Sequence, residues 1–258
     1  MEQSNDIKFR KLRKFNAVMG VIHLVQGILM LALSSNYSLP IKSSFLQYDP
    51  VTQAISPVTN TIINVPIGPA VAMFLLISAI AHFSVSTFGY KWYVKSLQKH
   101  INPARWYEYA LSSSVMLVVI AMLSGMFDIA ALVLLFALNA TMNLFGLMME
   151  LHNQTTEKTN WTSFIFGSFA GGVAWIAVLI YFFGAFASNS STIPLFLIGI
   201  MASLLFFWCT FPLNMVLQYR KVGKWKDYLY GERAYVILSL VSKSLLAWQV
   251  WAGTLRGA

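Results

Sequence analysis

Seven stretches of this chain are apolar, almost uncharged and about 20 residues or longer, the length a helix needs to cross a bilayer core. They fall at 15–36, 65–88, 104–126, 128–150, 161–187, 192–219 and 233–255. Composition agrees, since 57% of the 258 residues are hydrophobic and 10% are charged, against about 25% charged in a soluble domain. The first apolar run is too long for the core of a cleavable signal and follows a polar, basic start, so it is expected to remain as a span. The fold class expected is an all-α membrane protein: a seven-transmembrane helix bundle with a basic tail at 1–14, a transmembrane domain at 15–255 and a short external C-terminus at 256–258. The connections 125–127 and 188–191 are so short that the spans they join are antiparallel neighbours. No internal repeat is visible, which gives inverted-repeat transporters little support.

The net charge of +9 would raise nucleic-acid binding in a soluble protein. Here the cations flank spans and report orientation instead. Lys8, Arg10, Lys11, Arg13 and Lys14 precede span one. Lys91, Lys95, Lys99 and Arg105 lie between spans two and three, Lys158 between four and five, and Arg220, Lys221, Lys224, Lys226 and Arg233 between six and seven. That puts fifteen on one side against Lys42 and Arg256 on the other, with Lys243 inside span seven. The positive-inside rule then predicts a multi-pass protein of the cell membrane with a cytoplasmic N-terminus and an extracellular C-terminus. Opposite sides for the two ends require an odd number of spans, as seven is.

The long connection 37–64 is the first external loop. Ser44-Phe45-Leu46-Gln47-Tyr48 and Thr59-Asn60-Thr61-Ile62-Ile63-Asn64-Val65 alternate partly like strands, so a short β-hairpin is expected to cap the outer face. Pro66 and Pro69 sit at the start of span two, where proline is tolerated. Pro212 falls within span six and is expected to kink it. Cys209, the only cysteine, excludes an intrachain disulfide and a cysteine metal site; it reads as a small core residue.

Lys243 is the most telling side chain. It stands about ten residues from either end of its span, or about 15 Å of helix rise, beyond the reach of snorkelling. A charged lysine there costs at least about 2.5–3.5 kcal/mol, so a carboxylate, loss of the proton or a covalent Schiff base must offset it. Glu108 in span three is the one carboxylate well inside a span; Asp128 and Glu150 mark the ends of span four, and Glu232 the start of span seven. Glu108 is shallower than Lys243 by about 9 Å of rise, a gap that extended side chains, tilt or a water could close. His23 and His82 lie at similar depth, and Ser78, Ser112 and Ser239 could join them in a polar pocket. Ser239 is one turn before Lys243 on the same face. Outward from Glu108, span three offers no second carboxylate, whereas a light-driven proton pump needs exchanging groups on both sides of its switch.

An inverted seven-helix frame with a lysine in span seven and a glutamate in span three resembles the heliorhodopsins. The specific pieces are Ser239-Leu240-Val241-Ser242-Lys243-Ser244-Leu245-Leu246-Ala247-Trp248, Trp106-Tyr107-Glu108-Tyr109 and Gln218-Tyr219-Arg220-Lys221. The resemblance implies all-trans retinal as a protonated Schiff base on Lys243, with Glu108 as counterion and with His23 and His82 in a proton cavity. It also implies a homodimer that uses the first external loop, and no ion transport. By analogy with microbial rhodopsins, Met116, Trp208 and Phe211 would line the retinal, Met215 replacing the usual tryptophan and Ser239 the usual aspartate. The function expected is a light-sensing photoreceptor surrounded by membrane lipid, which signals to an unknown downstream protein. It would not be an enzyme, would bind neither metal nor nucleic acid, and would have no catalytic residues. Rival readings are a light-driven ion transporter or channel, a membrane enzyme for which only His100 and His152 stand at span ends, and a retinal-free receptor with a structural ion pair.

Overall fold

The computed structural model describes residues 2–188 and 195–256. Among the described residues seven helices are long and apolar enough to cross a membrane. In chain order the elements are α1 (Glu2–Leu33), β1 (Ser38–Asp49), β2 (Ala54–Pro66), α2 (Ile67–Ser86), α3 (Tyr90–Gln98), α4 (Pro103–Leu123), α5 (Ile129–His152), α6 (Thr162–Ser188), α7 (Leu195–Tyr219) and α8 (Tyr228–Val250), which ends in a π-turn at Trp251–Leu255. The connection expected at 188–191 lies largely outside the described residues.

Local chemistry sets the helix starts. Asn102 caps α4 by accepting from the Arg105 N–H at 3.1 Å, with Pro103 in the first position, and Asp128 caps α5 by accepting from Ala131 N–H at 3.0 Å. Asp227 caps α8 by accepting from Leu229 N–H at 3.1 Å, so this helix begins five residues before the expected 233, and Glu232 lies in its second turn. Gly125, at φ 98°, makes the α4–α5 turn in the left-handed region that glycine tolerates. Pro66 precedes α2 with extended dihedrals, and Pro212 lies inside α7 as expected.

The basic 1–14 stretch is helical from Glu2 and continuous with the rest of α1, with Phe9 and Leu12 buried against Val85, Tyr93, Leu97 and Leu229. Cys209 is exposed on the surface of α7 rather than packed in the core. An unforeseen element, α3, buries Tyr93, Ser96 and Leu97 and leaves Lys91 and Lys95 exposed.

Packing neighbours run α1, α2, α4, α5, α6 around the bundle, and α8 closes it between α7 and α1; Trp175 and Trp208, 6.1 Å apart, meet across α6 and α7. One end, here called the basic end, is fixed by the Lys8–Asp227 ion pair at 2.9 Å, which joins the first turns of α1 to the α7–α8 connection. At the other end Ser35 N–H donates to Leu255 carbonyl at 2.9 Å. The chain therefore enters at one end and leaves at the other, as an odd number of crossings requires.

The expected hairpin is present and longer than its sequence signal, pairing antiparallel from Ser38↔Pro66 to Asp49↔Ala54 with one irregularity at Ile41/Lys42. Ser44 and Thr59 face each other with hydroxyl oxygens 2.7 Å apart. Lys42 N–H donates to Phe127 carbonyl at 2.8 Å, which fastens the hairpin onto the α4–α5 turn. Leu39, Ile41 and Val65 pack on the core, while the tip is held by Asp49, which accepts from Val51 N–H at 2.9 Å and Thr52 Oγ1 at 2.8 Å. Those bonds hold the exposed Asp49 carboxyl below its ordinary pKa.

Candidate functional site

Three helices meet at Lys243. From α8 its Nζ lies 2.5 Å from Glu108 Oε1 of α4 and donates to Ser78 Oγ of α2 at 2.6 Å. Ser78 Oγ in turn lies 2.6 Å from the same carboxylate oxygen. The contact is direct, so the rise separating the two residues needs no bridging water. Helical side chains lean toward the N-terminus of their helix, and that lean carries the lysine stem toward Glu108. Lys243 is 2% exposed, and its charge is answered where water is excluded. The ring of Tyr109 adds its face to the ammonium at 5.4 Å, and Tyr109 Oη donates to Tyr235 carbonyl at 2.9 Å.

This pair lies between two cavities. The larger holds about 1120 Å³ of space, open solvent at its mouth included, and runs between α4, α5, α6, α7 and α8 to the lysine. Met116, Trp208, Phe211, Ser239 and Lys243 line it, as does Met215. Its walls are mainly aromatic and apolar, with Trp106, Trp175 and Tyr235 among them, and the Lys243 side chain is part of the lining. Gly146 leaves room for the Trp106 ring, since a Cβ there would come within 2.3 Å of it. A long apolar molecule ending in an aldehyde fits this outline: ring walls for its hydrocarbon and a primary amine for its carbonyl. Ser78 and Ser112 are fully buried but line neither cavity; Ser78 serves through its bond to the ion pair.

The smaller cavity, about 400 Å³ measured the same way, opens from Glu108 toward the basic end and is lined by Asn16, His82, Tyr93, Asn102 and Arg105. Tyr109 and Ser239 line both cavities. His82 Nδ1 is 2.8 Å from Asn16 Oδ1, and its ring stacks on His23 with centroids 5.5 Å apart. His23 is 0% exposed, and neither ring nitrogen has a hydrogen-bond partner among the described residues. Of the two expected imidazoles, His82 lines this cavity with Asn16 and Glu108, whereas His23 does not and adjoins it through its stack on His82. Burial pushes the Tyr93 phenol above its ordinary pKa, so it remains a neutral donor beside them.

Sequence alone missed the neighbouring charge cluster. Arg105, counted there as an orienting surface cation, is 7% exposed. Its guanidinium forks between Glu150 of α5 and Glu232 of α8. Asn102 completes the cluster, its N–H donating to Glu150 at 2.7 Å and its Nδ2 to Glu232 at 2.6 Å. The same guanidinium lies 4.5 Å over the Trp106 ring and 3.9 Å over Tyr235, two walls of the larger cavity. The only available signal was three charges at span ends, which looks the same whether they face headgroups or each other. Among the described residues no His, Cys, Asp and Glu cluster could hold a metal ion.

No curated protein matches the chain. A family profile described as Heliorhodopsin matches residues 12–255, which contain the lysine–carboxylate pair, both cavities and every spanning helix but the first turns of α1. That match covers nearly the whole sequence, and the chain therefore belongs to the heliorhodopsin family of retinal membrane photoreceptors.

Proposed function

We propose that the chain is a light sensor in which Lys243 carries all-trans retinal through a Schiff-base linkage and Glu108 is the counterion. The observation that supports this most is an amine that lines a large, mainly apolar cavity and lies 2.5 Å from one carboxylate. Bound there, retinal supplies light-driven isomerisation. Trp106, Trp208 and Phe211 confine it, Ser78 positions Lys243 against Glu108, and Glu108 fixes where the positive charge rests. Separation of the linkage from Glu108 breaks a local ion pair, and the polar groups from Glu108 to His82 and His23 receive the proton. The helices then respond to the altered charge.

The output is a signal to another protein, with no ion pumping, because the exchanging groups stand on one side of the lysine. The excess of lysine and arginine at the basic end supports a cytoplasmic position for it. The hairpin is the contact of a homodimer, a role that fits its exposed Phe45, Leu46, Tyr48 and Ile55. The test is direct: purified protein mixed with all-trans retinal develops a visible band that hydroxylamine bleaches, and Lys243→Ala stays colourless. A colourless wild type, or coloured Lys243→Ala protein, sinks the proposal.

A further inference from the structure

The basic end carries a third opening, which shares no residue with the large cavity. It is a cleft of about 990 Å³, open solvent included, between the turn after α3, the loop after α5 and the α7–α8 connection. Three lysines line it: Lys99, Lys221 and Lys226, from two separate connections. None of them has a side-chain hydrogen bond or ion pair among the described residues. Of the two carboxylates that line it, Glu150 is buried and shares Arg105 with Glu232, and Glu157 is the other, against three lysines.

His100 and Lys221 take left-handed backbone at φ 57° and 53° where they end α3 and α7, with Ile101 N–H donating to Ser96 carbonyl and Val222 N–H to Leu217 carbonyl, so each turn at the cleft is set by a helix cap. His100 is pinned by stacking on Tyr228, ring centroids 4.8 Å apart. The Tyr228 hydroxyl itself is buried, without a hydrogen-bond partner among the described residues. Lysines needed only to orient a protein in a membrane can lie on a convex loop. Here three exposed lysines line one concavity.

We propose that this cleft binds a small oxyanion carrying more than one negative charge, of the pyrophosphate type. Lys99, Lys221 and Lys226 neutralise it through charge-assisted hydrogen bonds. A lipid phosphate headgroup shares this chemistry with a soluble phosphorylated compound. Through Glu150 and Arg105 the cleft adjoins Trp106 and Tyr235, so its occupant sits one ion pair and one ring away from the large cavity.

The site does not depend on the chromophore, so the experiment uses full-length, retinal-free protein. Pyrophosphate is titrated by calorimetry into protein held in neutral phosphatidylcholine nanodiscs. Saturable one-to-one binding is expected, weakened on the order of tenfold or more in Lys99→Gln/Lys221→Gln/Lys226→Gln protein. A control, Lys91→Gln/Lys95→Gln/Lys158→Gln, removes the same charge outside the cleft and leaves affinity within about twofold. Competition by phosphatidic acid in the nanodiscs assigns the cleft to a lipid headgroup; its absence assigns it to a soluble anion. No saturable binding, or equal weakening by both triple variants, overturns the proposal.

Discussion

At the scale of single residues, two substitutions separate the chemistry of the pair from its architecture. Glu108→Gln removes the anion from beside Lys243 and keeps its shape. Retinal-loaded protein is expected to absorb further to the red if the linkage stays protonated, or in the near-ultraviolet if it does not. A visible spectrum identical to wild type removes Glu108 from its role. Arg105 stands with two buried carboxylates, and taking away one member of such a group leaves uncompensated charge, at about 3–5 kcal/mol. Arg105→Gln is therefore expected to lower the thermal unfolding midpoint sharply. Arg105→Lys recovers only part, since an ammonium cannot fork two carboxylates as a guanidinium does; full recovery contradicts the bidentate geometry. Lys243 and Glu108 were legible in sequence because a charge in mid-span has few explanations. Arg105 was not, because a cation one turn from a span end is equally at home among headgroups, and only the packing of α4 against α5 and α8 decides.

Among the elements, spans showed themselves by length and apolarity, with ends displaced where a cap outweighed hydropathy, as Asp227 does for α8. α3 escaped notice because a nine-residue amphipathic segment beside longer apolar runs carries too few periods to stand out. The hairpin was half visible: its alternation shows at Ser44–Tyr48, whereas Ser38–Ser43 pair through backbone bonds that side-chain pattern does not report. Its tip is unusually apolar for a solvent-facing turn, with Leu46 75% and Val51 90% exposed. If that surface joins two copies, Leu46→Glu with Ile55→Glu converts dimer to monomer in light scattering of detergent-solubilised protein while the visible band is kept. A dimer that survives both substitutions places the contact elsewhere.

For the molecule as a whole, the count of spans and the segregation of lysine and arginine were legible because both follow from the bilayer. The cavities were not, since they are made by residues distant in sequence, such as Trp106 beside Gly146. Vesicles containing the retinal-loaded protein are expected to show no light-dependent pH change, with or without a protonophore; a sustained change that the protonophore abolishes reveals a pump. The reason lies in the small chamber beside Glu108. It lies toward the basic end, while beyond the lysine α2 and α8 contribute the buried apolar side chains Val71, Phe74, Leu75 and Leu246. Such a chamber is a cul-de-sac. On the proposed reading, a proton that enters it under illumination retraces its path in the dark, and that round trip builds no gradient. What light leaves behind is an interval, the time the proton is away, and a partner protein would have to read the sensor as a clock.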